Sequence, residues 1–551
     1  MHLRFYACVG FLFLVGVVGC AGNSSTTPPG PALLAPPARG AASLTVTIVV
    51  PARGSAAIRH PSWVSPSTSL VQIAVSQASA APLVTSAPCS SISCTVSLGG
   101  LPTGNVNVAA GLLDSGNQLL AGGSVSATLT ASGPNTITLP VGGFVNQVSL
   151  RANPIGFSPG TAGTGVLTAL AQDIDGNTIT GAAPYLNPIV LTNSDNTNVI
   201  TLSSPAFSAP GQSINVVYSG ATAIKSATLG AIGLNPANVV SAGILLRNIY
   251  IADAFNNKVR VFSPGGTPIA GLDPIGSFSF PNILYVDAAD NLFVGDYTTV
   301  TSFAPGSGTA TTTSGSIFSG AVYTLAEDSS GRLIAGDNIG NVKVFSPALT
   351  LTPFTSISTG LSNARYGTVN AFNNLYIPDN FTNVVKVYQP VVAASPPPLA
   401  SFSPISIVSG GLTSAQSGPG GQVCVTAPAS TGGDTISLYA AGNGTPYATI
   451  VLTPVGYAFN PQFCAFDANG NVYSANYTAN TVTEYSGTTQ ALIATYPTAN
   501  HPMTLAFDPS GYLFVADYNG STVQVFRPPA PALVTSYSLG GGSPTFVAFG
   551  H

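Results

Sequence analysis

Charge is scarce in this chain of 551 residues. Lys and Arg together number 14 and Asp and Glu 18, so charged residues make up 6% of the sequence, against about a quarter in an ordinary globular protein. No basic cluster is present, and the formal net charge is -4. Nucleic-acid binding needs a patch that neutralises phosphates. DNA and RNA are therefore excluded as partners.

Helix-favouring stretches are also lacking. The chain contains 60 Gly and 45 Pro, which interrupt it too often for long helices. What remains is 45% apolar and arranged in short alternating runs, which excludes disorder throughout and predicts an all-β protein. At about 150 residues per domain, the length predicts three or four domains.

The N-terminus has the features of an export signal. Arg4 is followed by an apolar stretch from Phe5 to Val18, which ends in Val17-Val18-Gly19-Cys20. The stretch is short for a membrane span. Residues 1–20 resemble a bacterial lipoprotein signal peptide, and the resemblance implies that Cys20 carries a diacylglycerol anchor. It also implies an extracytoplasmic place in the cell envelope, at the outer membrane or cell surface. An uncleaved anchor and an ordinary secretory signal are the alternatives.

Residues 21–43 are rich in Pro, Thr and Gly and are predicted to be a stiff spacer. An exported protein meets oxidising conditions, so four further cysteines can pair. Cys89 and Cys94 enclose four residues, and we expect a disulfide there rather than a metal site, since no His lies nearby. Cys424 and Cys464 are predicted on neighbouring repeats. Two buried free thiols are the default expectation for them, with a disulfide as the alternative.

Two β-sandwich domains are predicted before the repeats, at 44–143 and 144–242. Apolar residues alternate at Leu44, Val46, Ile48 and Val50, the pattern of a half-buried antiparallel sheet. The second unit contains the turn Asp173-Ile174-Asp175-Gly176-Asn177 and resembles bacterial immunoglobulin-like domains. Its aspartates could ligate calcium, but a hairpin turn with Asx hydrogen bonds is the favoured interpretation.

From residue 243 onward a short motif recurs. Each copy is a strand-like run that ends in Asp or Asn, and most copies are about 40 residues apart. The copies end at Asp253, Asp296, Asp337, Asp379, Asn476 and Asp517. The double interval between Asp379 and Asn476 is predicted to hide a degenerate copy, at Gln422–Thr426 and Thr435–Tyr439.

These motifs resemble the NHL-repeat β-propellers, and the resemblance covers residues 243–551. It implies that the repeats form the blades of a propeller. The six clear copies and the degenerate one predict seven blades, with six as the alternative. The C-terminal run Thr545–Phe549 has the pattern of an inner strand without a following motif. We therefore expect it to complete the first blade and close the ring.

Several residues are candidates for a catalytic role. One Asp at the same place in each repeat predicts a repeated structural role, namely accepting hydrogen bonds from turn amides. Glu327 and Glu484 occur singly, and the lactonase-like propellers place a Glu, Asn and Asp cluster on a metal. His501, in the loop 497–502, is the one candidate general base. A lyase-like or lactonase-like enzyme acting near His501 is thus the alternative function, and a structural envelope component is another.

A binding rim is the favoured hypothesis. Directly after the repeated Asp or Asn come residues that combine aromatic faces with amide side chains, on turns expected to share one rim: Tyr297, Asn338, Asn380, Tyr477 and Tyr518. Such groups on an almost uncharged surface suit neutral glycans or extended peptides. We expect a non-catalytic binding module without cofactor or metal.

Overall fold

The computed structural model describes residues 42–551 except 50–63, 78–80, 91–92, 132–134, 136, 346–350, 352, 359, 389–399, 403–410, 429–432, 441–445 and 453–458. Within these residues the chain is built from 43 β-strands and one short 3-10 helix, Pro236–Asn238. The prediction of an all-β protein is confirmed. Cys20 and the spacer up to residue 41 lie outside the described residues.

The first region forms two antiparallel sheets. One pairs β1 with β4, and the other has the order β3-β2-β5-β6-β7. Leu44, Val46 and Ile48 are buried while the residues between them are exposed, as the alternation predicts. The strands are β1 Ala42–Val49, β2 Leu70–Ser76, β3 Leu83–Pro88, β4 Ser93–Leu101, β5 Gly104–Leu113, β6 Leu119–Leu129 and β7 Gly142–Gly143.

The second region also forms two sheets, of orders β12-β10-β14-β16 and β11-β13-β9-β8-β15. Its last strand, β16, ends at Leu245, three residues beyond the predicted boundary. The strands are β8 Gln147–Asn153, β9 Gly163–Gln172, β10 Ile189–Asn193, β11 Ile200–Leu202, β12 Ala206–Phe207, β13 Ser213–Tyr218, β14 Ser226–Ile232, β15 Val239–Val240 and β16 Ala242–Leu245.

The two regions share one hydrophobic core that extends from Ala42 to Leu246. A buried polar contact joins them as well. The Ser65 hydroxyl donates to the Asp173 carboxylate at 2.7 Å, and that carboxylate also accepts from the amides of Asp175 and Asn177. Asp173 therefore forms the Asx turn favoured by the sequence, and it additionally fastens one region to the other.

The third region is a set of small antiparallel sheets. Their strands are β17 Asn248–Asp253, β18 Lys258–Phe262, β19 Ile283–Val286, β20 Leu292–Gly295, β21 Val300–Phe303, β22 Ala310–Thr313, β23 Val322–Glu327, β24 Leu333–Asp337, β25 Asn341–Phe345, β26 Pro353–Ser358, β27 Thr368–Val369, β28 Leu375–Pro378, β29 Val385–Tyr388, β30 Ala400–Phe402, β31 Ser414–Ser417, β32 Val423–Ala427, β33 Thr435–Tyr439, β34 Pro446–Val451, β35 Pro461–Phe466, β36 Val472–Asn476, β37 Thr481–Tyr485, β38 Leu492–Pro497, β39 Pro502–Phe507, β40 Leu513–Asp517, β41 Thr522–Arg527, β42 Ala530–Ser538 and β43 Pro544–Gly550.

These strands form seven sheets within the described residues. Sheet 1 has the order β18-β17-β43, and sheets 2 to 7 are the consecutive quartets from β19–β22 to β39–β42. The first strands contact one another in turn from β19 through β23, β27, β31, β35 and β39 to β43, which returns to β19. Small sheets arranged in a closed ring around one axis form a propeller-like architecture. The double interval between Asp379 and Asn476 contains sheet 5, whose strands β32 and β33 correspond to the predicted degenerate copy.

The C-terminal strand closes the ring. β43 pairs antiparallel with β17, so that Phe549 lies opposite Ile249 and Val547 opposite Ile251. The Thr545 hydroxyl donates to the carbonyl of Pro281, in sheet 2, at 2.9 Å. The expectation that residues 545–549 complete the first sheet is confirmed.

Both cysteine pairs form disulfides. Cys89 is bonded to Cys94, as expected. Cys424 of β32 is bonded to Cys464 of β35, so the default expectation of two free thiols is wrong there. The sequence showed that these residues lie on neighbouring sheets, but only the packing of sheet 5 against sheet 6 brings their Cα atoms to 6.4 Å, within bonding range.

Candidate functional site

The ring has two rims, which differ in their surroundings. The upper rim is where the first strand of each sheet begins and the second ends; it carries Asp253, Asp296, Asp337, Asp379, Asn476 and Asp517. The lower rim is where the first strand ends, and it carries Asp287, Asp328, Asn370, Asp467 and Asp508. The residues predicted to bind a ligand all lie on the upper rim.

The repeated upper-rim aspartates have a structural role. Asp296 accepts from the Thr299 amide at 2.9 Å, and Asp337 accepts from the Asn341 amide at 2.8 Å. Each carboxylate also accepts from the loop that leads into its own sheet, as Asp379 does from the Ser362 amide at 3.0 Å. The hypothesis that the repeated aspartates accept hydrogen bonds from amides of the next turn is confirmed for Asp253, Asp296, Asp337 and Asp379. It is wrong for Asp517, which accepts instead from the Ala499 amide of the preceding loop at 3.2 Å.

The five residues that follow occupy equivalent positions. Each donates its backbone amide to a carbonyl just before the first strand of its sheet, at 2.8 to 3.2 Å. The pairs are Tyr297 with Ser279, Asn338 with Ala321, Asn380 with Asn363, Tyr477 with Asn460, and Tyr518 with His501. Their backbones are thereby fixed, and Tyr297 keeps 54% of its surface exposed.

Tyr477, Tyr518 and His501 come together between sheets 6 and 7. The Tyr477 and His501 rings stack with centroids 4.2 Å apart and planes 3° from parallel. The His501 amide donates to the Asn480 side chain at 2.8 Å, and its Nδ1 contacts the Asn519 amide group. Burial, followed by the neighbouring Tyr518, raises the pKa of Tyr477. In the described residues no carboxylate pairs with His501, so no acidic group orients it as a general base.

Sequence reasoning missed an aromatic cluster on the ring axis. Tyr366, Phe463 and Phe546 come from sheets 4, 6 and 1, yet Tyr366 lies 5.5 Å from Phe463 and 6.4 Å from Phe546 between ring centroids. Tyr323 of sheet 3 packs edge-on against Tyr366 at 5.4 Å. The axis is therefore filled by aromatic side chains at this level. The signal present in the sequence is an aromatic residue near the start of several first strands, as at Tyr323, Phe463 and Phe546.

Two polar groups lie at this axial cluster. The Arg365 guanidinium lies over the Tyr323 ring, 5.0 Å from its centroid, and none of the described carboxylates forms an ion pair with it. The Tyr366 hydroxyl is buried and has no hydrogen-bond partner among the described residues. Burial, with contributions from Tyr323 and Tyr518, raises the pKa of Tyr366, while Arg365 acts in the opposite direction.

Large apolar side chains are also exposed on the upper rim. Phe255 and Phe381 follow the repeated aspartates of sheets 1 and 4 by two residues and are 71% and 79% exposed. Ile339 holds the same position in sheet 3 and is 44% exposed. Aromatic side chains of this size are normally buried, so the upper rim differs from an ordinary protein surface in exposing Phe255, Tyr297 and Phe381.

The lower rim is covered on one side by the second region. Lys225, just before β14, donates to the carbonyl of Ala288 in the turn after β19 at 3.3 Å, and Arg527 of sheet 7 donates to the carbonyl of Ser241 at 3.0 Å. Gly243 lies so close to Ser510 that a Cβ atom there would overlap it. The second region therefore packs against the rim opposite the candidate site.

The two glutamates are engaged by tyrosines. Glu327, at the end of β23, accepts from the Tyr285 hydroxyl at 2.9 Å. Glu484 is buried and accepts from the Tyr496 hydroxyl, and burial raises its pKa. Among the described residues no group of three or more His, Cys, Asp or Glu is arranged to hold a metal ion.

A concavity of about 370 Å³ lies in the second region. Its walls include Thr192, Ser194, Thr228 and Ser241, and it contains no ionisable side chain.

None of the described helices is long and apolar enough to cross a membrane.

Comparisons with known proteins do not assign this chain to a family. No protein-family model matches the chain, and no curated protein matches it. A solved structure described as the crystal structure of a mitotic checkpoint complex is similar over 48% of this chain and 79% of its own, with 12% identity and a TM-score of 0.41. Similarity at this level carries no inference about function.

Proposed function

We propose that this protein is an exported, lipid-anchored surface lipoprotein whose ring is a non-catalytic binding module. In this proposal the first two regions are β-sandwich modules, the second of them immunoglobulin-like. The ring is an NHL-like propeller in which each of the seven sheets is one blade. The ligand is a neutral glycan or an extended peptide that lies across the upper rim.

The observation that carries the proposal is the contrast between the rims. The second region packs on the lower rim through Lys225 and Ser241, which contact Ala288 and Arg527, while the upper rim exposes Phe255, Tyr297 and Phe381. Aromatic faces stack on the apolar faces of sugars and on peptide groups. Because the surface carries few charges, it imposes no preference for strongly charged ligands.

The orientation of the rims agrees with an N-terminal anchor. The chain leads from the first region through the second to the lower rim, so the upper rim is turned away from the second region. A lipid on Cys20, supplemented by a second acyl chain, would hold the protein stably at a membrane. The upper rim would then be available to ligands outside the cell.

Acyl labelling tests the anchor. Cells that express the wild-type chain should incorporate labelled fatty acid into it, and the protein should partition into the detergent phase. Cys20→Ser removes the only acceptor that the proposal allows, so label and partitioning should both be lost. Equal labelling of the variant would overturn the lipoprotein assignment.

Binding measurements test the rim. An array of neutral oligosaccharides and uncharged peptides is probed with the wild type and with Tyr477→Ala combined with Tyr518→Ala. Losing two aromatic faces should make the binding free energy of any ligand found less favourable by about 1 to 3 kcal/mol. Phe372→Ala is the matched control, since Phe372 is 60% exposed on a lower-rim turn.

A different outcome would favour the enzyme. If His501→Ala abolished a measurable turnover while the double tyrosine variant bound and reacted normally, a catalytic site near His501 would replace the binding module. Binding that was lost in Phe372→Ala but kept in the tyrosine variant would place the ligand on the lower rim instead.

A further inference from the structure

Within the proposed binding rim, one partly buried position carries a cation beside the axial aromatic cluster. Arg365 immediately precedes Tyr366 of the axial cluster and is half-buried. Its guanidinium lies on the Tyr323 ring, a contact that holds a cation without neutralising it. On the lower rim, by contrast, the Arg332 guanidinium is bonded to Asp328, and on β18 that of Arg260 is bonded to Asp273.

The Arg365 guanidinium is partly removed from water and, in the described part of the chain, lacks a carboxylate partner, so it can form an ion pair with a carboxylate of a ligand. Its fork of N–H donors matches the two oxygens of a carboxylate. Near it lies the Tyr366 hydroxyl, which has no partner among the described residues, although a buried hydroxyl ordinarily has one. The arrangement thus combines one cation, one unused neutral donor and several aromatic faces.

We infer that the upper mouth of the ring holds a subsite for a single carboxylate-bearing sugar residue, a uronate, with Arg365 as the ion-pairing group. This inference rests on the proposed binding function and specifies its ligand. The rest of the ligand is neutral and lies on the surrounding aromatic residues. One positive charge suits a monoanion; a phosphate dianion would call for more donors and cations.

An extended peptide is the less favoured ligand for this subsite. Peptides that bind by strand addition need unpaired backbone groups. At the upper rim the turn amides already donate to the aspartates, as those of Thr299 and Asn341 do, and the amides of Tyr477 and Tyr518 donate to carbonyls. Recognition there must come from side chains, which is how sugars are usually held.

The test compares cellohexaose with cellohexaose in which a single glucose is oxidised at C6 to glucuronate, so that the two hexamers differ by one carboxylate. Binding is measured calorimetrically on the full-length protein. The oxidised hexamer should bind the wild type about tenfold more tightly, the effect expected of a charged hydrogen-bonded pair. Added salt should reduce this preference and leave cellohexaose binding unchanged.

The variants assign the effect to named groups. Arg365→Gln should abolish the preference and keep cellohexaose affinity. Lys258→Gln is the matched control, because Lys258 is exposed at the start of β18 on the same rim; it should leave the preference intact. Arg365→Lys keeps the charge without the fork and should retain part of the preference, which also covers the case in which Arg365→Gln fails to fold.

Four results would overturn the inference. Equal affinity of the wild type for both hexamers would remove the subsite while leaving neutral glycan binding in place. A preference that survived Arg365→Gln would place the carboxylate elsewhere. If neither hexamer bound but a peptide did, the sugar specificity would be wrong and the binding function would stand. If neither an oligosaccharide nor a peptide bound, the uronate subsite and the proposed binding function would both be wrong.

Discussion

The two rims of the ring are built from the same kind of turn, yet they differ in what surrounds them. Asp508 on the lower rim and Asp517 on the upper rim are both buried, and each accepts backbone amides. Around Asp508 lie Ser510 and Arg527, which contact the second region. Around Asp517 lie Tyr518 and Asn519, which contact His501. The repeated aspartate turns are thus common to both rims. The residues next to each aspartate determine whether the rim contacts the second region or stays accessible.

Removing β43 should have the largest effect, because this strand spans both rims. Its upper end is held by Asp253, which accepts from the Ser543 amide at 3.0 Å, and Phe546 lies in the axial cluster. Truncation after Gly542 should consume most of the roughly 5 to 15 kcal/mol that stabilises a domain. Thermal melting should show loss of the cooperative transition. A midpoint within a few degrees of the wild type would show that the ring closes without β43.

Removing the disulfide between sheets 5 and 6 should have the next largest effect on stability. Cys424 and Cys464 are 40 residues apart, and closing a loop of that length typically stabilises by about 2 to 4 kcal/mol. Cys424→Ser with Cys464→Ser should lower the free energy of unfolding accordingly, measured by urea titration. The matched control is Cys89→Ser with Cys94→Ser, which opens a much shorter loop. An equal loss in the control would contradict the dependence on loop length.

The docked lower rim should show a pH dependence. Burial raises the pKa of Asp508 to about 7, above its unfolded value of about 3.9. The folded state therefore binds a proton at Asp508 more tightly than the unfolded state does. The stability that this bound proton contributes is fully present below about pH 4 and is lost as the pH rises through 7. Asp508→Asn keeps an acceptor for the turn amides and removes the buried charge.

At pH 8 this variant should accordingly be more stable than the wild type by about 1 to 3 kcal/mol, with little difference at pH 4. Urea midpoints at the two pH values measure the effect. Asp467→Asn is the control, since Asp467 holds the same turn position on the lower rim but is less buried. If Asp508→Asn were less stable at pH 8, ionised Asp508 would be needed to balance Arg527 at the docked rim.

The smallest effect is expected on the upper rim. His501 has a φ of 60°, a left-handed conformation that costs a residue with a Cβ about 1 to 2 kcal/mol. His and Ala both bear that cost, so His501→Ala should shift the melting midpoint by only a few degrees. His501→Gly relieves the backbone while also removing the ring that stacks on Tyr477. A large loss in both variants would show that the stacked pair stabilises the fold rather than serving a ligand.

Much of the ring could be predicted because its signal is local and repeated. Alternating apolar residues, turn residues and the recurring Asp are properties of neighbouring positions, so they identify strands and the repeat length directly. The same local logic fails at residues 135–139, where Ile137 and Leu139 alternate with threonines and so predict a further strand. There Asn135 forms only an isolated bridge to Leu44, and its side chain accepts from the Thr130 amide at 2.9 Å, so local side-chain bonds compete with the sheet.

By itself, the sequence determined the all-β class, the repeat, the closing strand and the residues that share the upper rim, since each depends on order along the chain. Tertiary structure alone decided which of those residues meet: Tyr477 with His501, Cys424 with Cys464, and Tyr366 with Phe463 and Phe546 across the axis. It also decided that the second region covers the lower rim. The physical reason is that contacts between sheets depend on distances across the closed ring, which residues far apart in sequence set jointly and no single repeat encodes.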